Sequence, residues 1–243
     1  MVLGCRALRR PEPDHHDPEG LLSRIVLKAI LGLLMRVLFR PKVEGIERIP
    51  ETGPVIMAGN HVTFIDSIFL SLVVKRPVFF IGKDEYVTGK GIKGRLMAWF
   101  FTTAGMVPVD RDGGHGGVAA LMTGRRILDE GHAFGIYPEG TRSPDGRLYR
   151  GRTGVARLAL MTGAPVVPFA MIGTDKVQPG GKGRPRLAPV TVRFGAPLDF
   201  SRYEGMDRDR YVLRAVTDEV MSDVMELSGQ EYVDVYATKA RAA

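Results

Sequence analysis

Short apolar runs that alternate with helical patterns limit most strongly how this chain can fold. Six runs are typical of strands, and they lie at residues 54–58, 78–81, 106–109, 133–137, 165–171 and 190–194. Continuous runs of this length, rich in Val, Ile and Phe, suit strands covered on both faces. Helical patterns occupy residues 68–74, 92–101, 117–129, 153–161 and 207–227. The alternation predicts a single α/β domain with a mostly parallel or mixed central sheet flanked by helices.

The most apolar stretch comes earlier, at residues 21–39, and its charges lie on one face of a helix. Arg24 and Lys28 are one helical turn apart, as are Arg36 and Arg40, whereas the other faces are rich in Leu, Ile and Val. A basic stripe on an apolar helix is typical of an anchor that lies in a membrane interface. We therefore expect residues 21–40 to form an amphipathic membrane-anchoring helix. A packed core helix and a membrane span are the alternatives.

The ends of the chain differ from its centre. The first twenty residues are polar and contain no apolar run of the kind found in secretory signals, so we expect a disordered tail at residues 1–20. The main domain is expected to span residues 41–228, followed by a C-terminal tail at 229–243. The single cysteine, Cys5, excludes an intramolecular disulfide and a cysteine metal cluster, and it fits a reducing compartment. The net charge of +7 favours an anionic partner: nucleic acid, an acidic membrane or a phosphorylated substrate.

A polar cluster directly follows the first predicted strand. It contains Asn60, His61 and, five residues after the histidine, Asp66. Histidine moves protons near neutral pH, and a carboxylate within hydrogen-bond reach fixes its tautomer and stabilises the imidazolium. If a helix begins just after His61, Asp66 can reach back to the ring. The pattern predicts a general base acting on a substrate hydroxyl; a structural histidine beside a helix N-terminus is the alternative.

Other clusters follow other strands, and sites in α/β sheets collect beyond strand ends. Arg111 follows residues 106–109 and is a phosphate-binding candidate, or else a surface ion pair with a neighbouring aspartate. Residues 137–143, with the sequence YPEGTRS, form a turn expected to present Glu139 and Arg142 at the rim. A turn with a surface salt bridge is the alternative there. Residues 166–169 are apolar and suit either the wall of a site or core strand.

In order along the chain, these blocks resemble those of the glycerolipid acyltransferases, in particular the lysophosphatidic acid acyltransferases. That family carries an N-H-x4-D block, a block that ends in Asp-Arg, a (F/Y)-P-E-G-T-R-S block and a strand that contains V-P. All four occur here between Asn60 and Phe169, roughly the central half of the chain. Tyr137 in place of Phe, and Pro108 in place of a second apolar residue, are mild departures that remove no polar group.

The resemblance implies roles for particular residues. His61 would be the general base on the acceptor hydroxyl, and Asp66 would orient it. The implied contacts with the acceptor come from residues after several strands: Lys83, Arg111, Glu139, Gly140, Thr141 and Arg142. Pro168 and its neighbours resemble the segment that lines the acyl-donor site. The implied donor is an acyl thioester on coenzyme A or acyl carrier protein, and neither a metal nor another cofactor is expected.

The reaction implied by this resemblance moves a fatty acyl group to lysophosphatidic acid and gives phosphatidic acid, at the cytoplasmic face of the cell membrane. An anionic membrane surface is the expected partner, and nucleic acid is not. The same chemistry on glycerol 3-phosphate or another lysophospholipid is the first alternative. A non-enzymatic basic module that binds lipid or nucleic acid is the second. It leaves the His–Asp pair unexplained, and the basic segments lack the interleaved aromatics that bind single strands.

Overall fold

A computed structural model describes residues 32–34, 36–83, 105–109, 116–179 and 186–240, together with residues 91 and 94. The strands in these ranges are β1 (Lys42–Glu44), β2 (Val55–Gly59), β3 (Val78–Lys83), β4 (Met106–Val109), β5 (Ala133–Ile136), β6 (Leu148–Tyr149), β7 (Val166–Ile172), β8 (Thr191–Phe194) and β9 (Tyr232–Val233). The α-helices are Asp66–Val73, Gly116–Asp129, Gly154–Thr162, Thr174–Val177, Arg210–Ser228 and Ala237–Ala240, with 3-10 turns at Ile46–Arg48 and Ser201–Tyr203.

Seven of the strands form one sheet in the order β1-β8-β7-β2-β5-β3-β4. Its pairings are parallel except that of β7 with β8, which is antiparallel. The prediction of a mostly parallel or mixed sheet flanked by helices is therefore confirmed. The six predicted apolar runs all became strands of this sheet. Residues 92–101, predicted to be helical, lie outside the described residues.

The central strand β2 contributes side chains to two hydrophobic cores, which explains its uninterrupted apolar sequence. Val55 and Met57 face one core, which they share with the helix Asp66–Val73. Ile56 and Ala58 face the opposite core, which includes the helices Gly116–Asp129, Gly154–Thr162 and Arg210–Ser228. All four side chains are fully buried. Because both faces of β2 are covered, neither can carry polar residues.

Parallel pairing brings three strand ends to one edge of the sheet. Strand β2 lies between β5 and β7, with Ala58 opposite both Ile136 and Pro168. The residues that follow β2 and β5 therefore emerge side by side. These are the N-H-x4-D segment and the Y-P-E-G-T-R-S turn, which are far apart in sequence.

The predicted anchor helix is described only in part. Residues 32–34 and 36–39 are helical, whereas residues 21–31 and 35 lie outside the described residues. Four apolar side chains on this segment are exposed: Leu33, Leu34, Val37 and Leu38. Phe39 is buried, and the Arg36 guanidinium donates to the Leu72 carbonyl at 2.9 Å. Within the described ranges, no helix has the length and apolarity needed to cross a membrane.

The C-terminal region is packed where the sequence predicted a tail from residue 229. The helix Arg210–Ser228 begins after Asp209, whose carboxylate accepts from the Tyr211 and Val212 amides, and it ends before Gly229 at φ 67°. Beyond it, β9 pairs in parallel with β6, and Ala237 is fully buried. A two-residue strand has no periodicity. Its partner residue Leu148 lies 84 residues before Tyr232 (232 minus 148), so no local pattern could reveal the pairing.

Candidate active site

His61 and Asp66 lie together at the carboxyl end of β2. Asp66 is the first residue of the helix Asp66–Val73, and the intervening loop turns back so that His61 Nδ1 lies 2.9 Å from Asp66 Oδ2. The Asp66 side chain is fully buried, whereas 18% of the His61 side chain is exposed. The arrangement thus joins a carboxylate in the interior to an imidazole that solutes can reach.

Other hydrogen bonds to Asp66 define the tautomer of His61. Asp66 Oδ2 accepts from the amides of Val62 and Thr63, both at 2.8 Å, and Oδ1 accepts from the Thr63 hydroxyl at 3.0 Å. A carboxylate that collects these donors is in its acceptor form, so His61 Nδ1 carries the proton that it donates to Oδ2. In neutral imidazole, Nε2 is then the basic nitrogen.

Tyr137 stacks on the catalytic candidate His61. The two ring centroids are 4.0 Å apart and the planes differ by 12°. The Tyr137 hydroxyl lies 2.9 Å from Ser67 Oγ, on the helix that begins with Asp66. Burial, reinforced by the nearby Asp66 charge, raises the pKa of Tyr137 well above its ordinary value, so the phenol stays neutral. In the sequence, Tyr137 stands out only as a substitute for Phe, and no local pattern predicts its hydroxyl contact with Ser67.

Glu139 is in the interior, and this corrects the prediction that the turn presents it at an exposed rim. The residue is only 1% exposed. Its Oε1 accepts from the His61 amide at 3.0 Å and its Oε2 from the Tyr149 amide at 2.9 Å. Burial raises the pKa of Glu139 to about 7, although the two amide hydrogen bonds oppose that rise. The carboxylate therefore joins the His61 backbone to β6.

The remainder of the turn is also held against the His61 loop. The Gly140 amide donates to the Tyr137 carbonyl, with Gly140 at φ 73°, a left-handed conformation that favours glycine. The Ser143 amide donates to the His61 carbonyl at 2.7 Å. Thr141 and Arg142, between them, are half-buried. Both backbone polar groups of His61 are thus bonded to this turn.

Asn60 and Gln230 form a second support for the site, and the sequence does not predict it. The side-chain Nδ2 of Asn60 donates to the Met171 carbonyl and to Gln230 Oε1, and Asn60 Oδ1 accepts from the Met171 backbone amide. Gln230 in turn donates to the Gly146 carbonyl. Asn60 precedes His61, but no sequence pattern indicates that a glutamine 170 residues later contacts it.

The remaining predicted site residues have different locations. Lys83 ends β3, with its backbone opposite Val109. Arg111 lies outside the described residues. Pro168 is a buried residue of β7, opposite Ala58, and its carbonyl accepts from the Gly195 amide at 2.8 Å. Among the described side chains, no three from His, Cys, Asp and Glu are grouped so as to hold a metal ion.

The fold and this geometry define a class: an α/β protein with a histidine–aspartate pair beyond the carboxyl end of a central parallel strand. The sequence model of the family described as Acyltransferase matches residues 40–172, more than half of the chain. The chain belongs to the acyltransferase family. The match begins just before β1, ends with β7 and includes the His61–Asp66 loop and the turn at 137–143.

Individual proteins of similar sequence also carry acyltransferase names. A chloroplastic 1-acyl-sn-glycerol-3-phosphate acyltransferase of Arabidopsis thaliana is 33% identical over 166 residues, 68% of this chain and 45% of the relative. A chloroplastic enzyme of the same name from Brassica napus is 32% identical over 162 residues, again 45% of its length. The chain thus spans about half the length of these curated relatives.

A solved structure has a similar fold. The crystal structure of the 1-acyl-sn-glycerophosphate (LPA) acyltransferase PlsC from Thermotoga maritima superposes with a TM-score of 0.63 and 24% sequence identity. The match covers 88% of this chain and 85% of the other. The α/β architecture derived above is therefore that of a known acyltransferase.

Proposed function

We propose that this protein transfers a fatty acyl group from an acyl thioester to the hydroxyl of lysophosphatidic acid and so forms phosphatidic acid. The observation that carries the proposal is the 2.9 Å contact between His61 Nδ1 and the buried Asp66 carboxylate, which leaves Nε2 as the basic nitrogen. The names of the relatives supply the acceptor class.

In the proposed reaction, His61 Nε2 takes the proton of the acceptor hydroxyl as that oxygen attacks the thioester carbonyl carbon. Asp66 stabilises the imidazolium that forms. Collapse of the tetrahedral intermediate breaks the carbon–sulfur bond, and the His61 proton passes to the departing thiolate. One ester bond forms and one thioester bond breaks, so no covalent acyl-enzyme is needed.

Binding of the acceptor requires cations beside this pair. Arg142 follows Glu139 and Gly140 in the turn whose backbone is bonded to His61. A guanidinium suits a phosphate because it offers two parallel N–H donors. We assign the acceptor phosphate to Arg142, with Lys83 and Arg111 as further contacts. The donor, coenzyme A or acyl carrier protein, is to be identified by assay.

The decisive experiment combines a product assay with a matched histidine control. Purified protein is incubated with lysophosphatidic acid and an acyl thioester on either carrier, and the lipid product is identified by mass. His61→Ala should lower turnover by at least about a thousandfold while circular dichroism stays unchanged. His132→Ala removes a half-exposed histidine next to β5 and should leave turnover unchanged. Near-normal turnover in His61→Ala would refute the mechanism, and a wild type that acylates only glycerol 3-phosphate would refute the acceptor.

A further inference from the structure

Three arginines that follow the Y-P-E-G-T-R-S turn differ in how their charges are balanced. Arg147 lies 2.7 Å from Asp145 and 3.6 Å from Glu231. Arg150 pairs with Asp234 at 3.3 Å. Arg152 is exposed, and no carboxylate of the described residues lies within ion-pair distance of its guanidinium. Of these three, Arg152 is the one that forms no ion pair with a described residue.

Neutral groups nevertheless hold the Arg152 side chain in place. Its Nη2 donates to the Thr238 hydroxyl at 3.1 Å, and its guanidinium lies 5.1 Å from the centre of the Tyr236 ring. A cation–π contact and a neutral acceptor orient a guanidinium without cancelling its charge. A merely solvated surface arginine requires neither.

Arg152 lies directly against the turn at residues 137–143. A Cβ built on Gly140 would lie 2.9 Å from Arg152 Nε, so the side chain occupies the space that the glycine leaves open. The Arg152 amide also donates to the Pro138 carbonyl at 2.7 Å. Arg152 thus packs on the same Pro138–Gly140 backbone whose Glu139 carboxylate bonds to the His61 amide.

We infer that Arg152 is a further binding residue for the phosphate of the acceptor, on the Gly140 side of the turn and complementary to Arg142. The inference rests on the proposed function. A phosphate monoester carries close to two negative charges at neutral pH, so a second guanidinium strengthens its binding. The C-terminal residues Tyr236 and Thr238, beyond the range matched by the family model, would then act as positioning residues for the acceptor site.

The test separates acceptor binding from chemistry. We compare Arg152→Gln, Arg152→Lys and the control Arg157→Gln, which removes an exposed charge from the helix Gly154–Thr162. Arg152→Gln should raise the KM for lysophosphatidic acid about tenfold, since hydrogen bonds to charged groups contribute on that scale. Its kcat and its KM for the acyl donor should match the wild type, and the loss of the Tyr236 and Thr238 contacts should lower its Tm only slightly. Arg152→Lys should lie between, and Arg157→Gln should change nothing.

An acceptor KM for Arg152→Gln that equals the wild-type value would overturn the inference, as would a change confined to the donor KM. Calorimetric binding of glycerol 3-phosphate provides a readout that needs no turnover. If the wild type acylates no lysophosphatidic acid, the proposed function fails, whereas weaker glycerol 3-phosphate binding by Arg152→Gln still supports the phosphate contact. If binding is equally tight in both proteins, the role of Arg152 fails by itself.

Discussion

At the scale of single residues, the site depends on two buried carboxylates with different tasks. Asp66 accepts hydrogen bonds from a side-chain hydroxyl, two amides and the His61 ring. Glu139 accepts from two amides that belong to segments distant in sequence. One orients the proposed base, and the other holds the backbone that carries it. A buried carboxylate is stable only when such donors compensate its loss of hydration.

Asp66→Asn is expected to impair both chemistry and stability. The amide keeps the shape of the side chain but brings an N–H₂ group toward donors, so at least one buried donor loses its partner. We expect kcat to fall by roughly a thousandfold or more and the free energy of unfolding to fall by about 1–3 kcal/mol. Steady-state kinetics and urea unfolding measure the two effects. A variant with wild-type kcat would mean that His61 needs no carboxylate partner.

Glu139 predicts a pH-dependent stability. Its pKa is higher in the folded chain, about 7, than the ordinary value of 4.5, so the folded state binds the proton more tightly. This contribution is complete below pH 4.5 and is lost as the pH rises through about 7. Relative to Glu139→Gln, which cannot ionise, the wild-type free energy of unfolding should fall by about 3 kcal/mol across that interval. Parallel pH profiles for the two proteins would contradict the burial of this charge.

At the scale of elements, close strand packing fixes where the His61 loop begins. A Cβ on Gly59, the last residue of β2, would lie 2.4 Å from the ring of Phe169, a fully buried residue of β7. Since real atoms do not approach so closely, a larger residue must displace the ring or the strand. Asn60 and His61 follow immediately, so a displacement there reaches the site.

Gly59→Ala should therefore destabilise the fold by about 1–3 kcal/mol and lower activity as well. The matched control is Gly117→Ala in the helix Gly116–Asp129, where an added Cβ meets nothing within 4 Å. That change should be neutral or stabilising by up to about 1 kcal/mol, because alanine favours helix. Thermal unfolding and turnover of both variants measure the difference. Equal Tm values would show that Phe169 can move aside at no cost.

The sequence allowed the central sheet and the His61–Asp66 pairing to be predicted, because both depend on local pattern. An apolar run such as residues 54–58 identifies a strand covered on both faces, and a carboxylate one helical turn on can reach back to a histidine. The prediction that the Glu139 side chain lies at the rim was wrong. Its carboxylate accepts from the Tyr149 amide, in a strand that pairs with the C-terminal region, and the local sequence does not show this partner. Long-range partners such as Gln230 leave no local pattern.

At the scale of the whole molecule, exposed apolar side chains near the N-terminus adjoin the basic residues Arg36 and Arg40. Leu33 is 65% exposed and Leu34 50% exposed, and the exposed Val37 and Leu38 follow within one helical turn, so the exposed apolar side chains are grouped on one short segment. The described part of the predicted anchor helix thus presents apolar and cationic groups together. Such a surface suits the interface of an anionic membrane.

Replacing Leu34 and Leu38 together by Glu is expected to weaken binding to anionic vesicles at least about tenfold. Burial of a leucine contributes about 1.5–3 kcal/mol, and the added charges repel anionic headgroups. Val118→Glu, at an equally exposed apolar position on another helix, is the control and should bind as the wild type does. Vesicle sedimentation measures both. Unchanged sedimentation of the double variant would exclude this segment as the membrane contact.

The pairing of β6 with β9 has a consequence for biosynthesis. A ribosome completes the turn at residues 137–143 about 90 residues before it reaches β9, which at about 5–20 residues per second is a delay of roughly 5–18 s. During that interval Gln230, Tyr236 and Thr238 do not yet exist to support Asn60 and Arg152. The nascent chain therefore holds the proposed base and its carboxylate well before the neighbouring binding surface is assembled, and full affinity for the acceptor is expected only when synthesis has passed those residues.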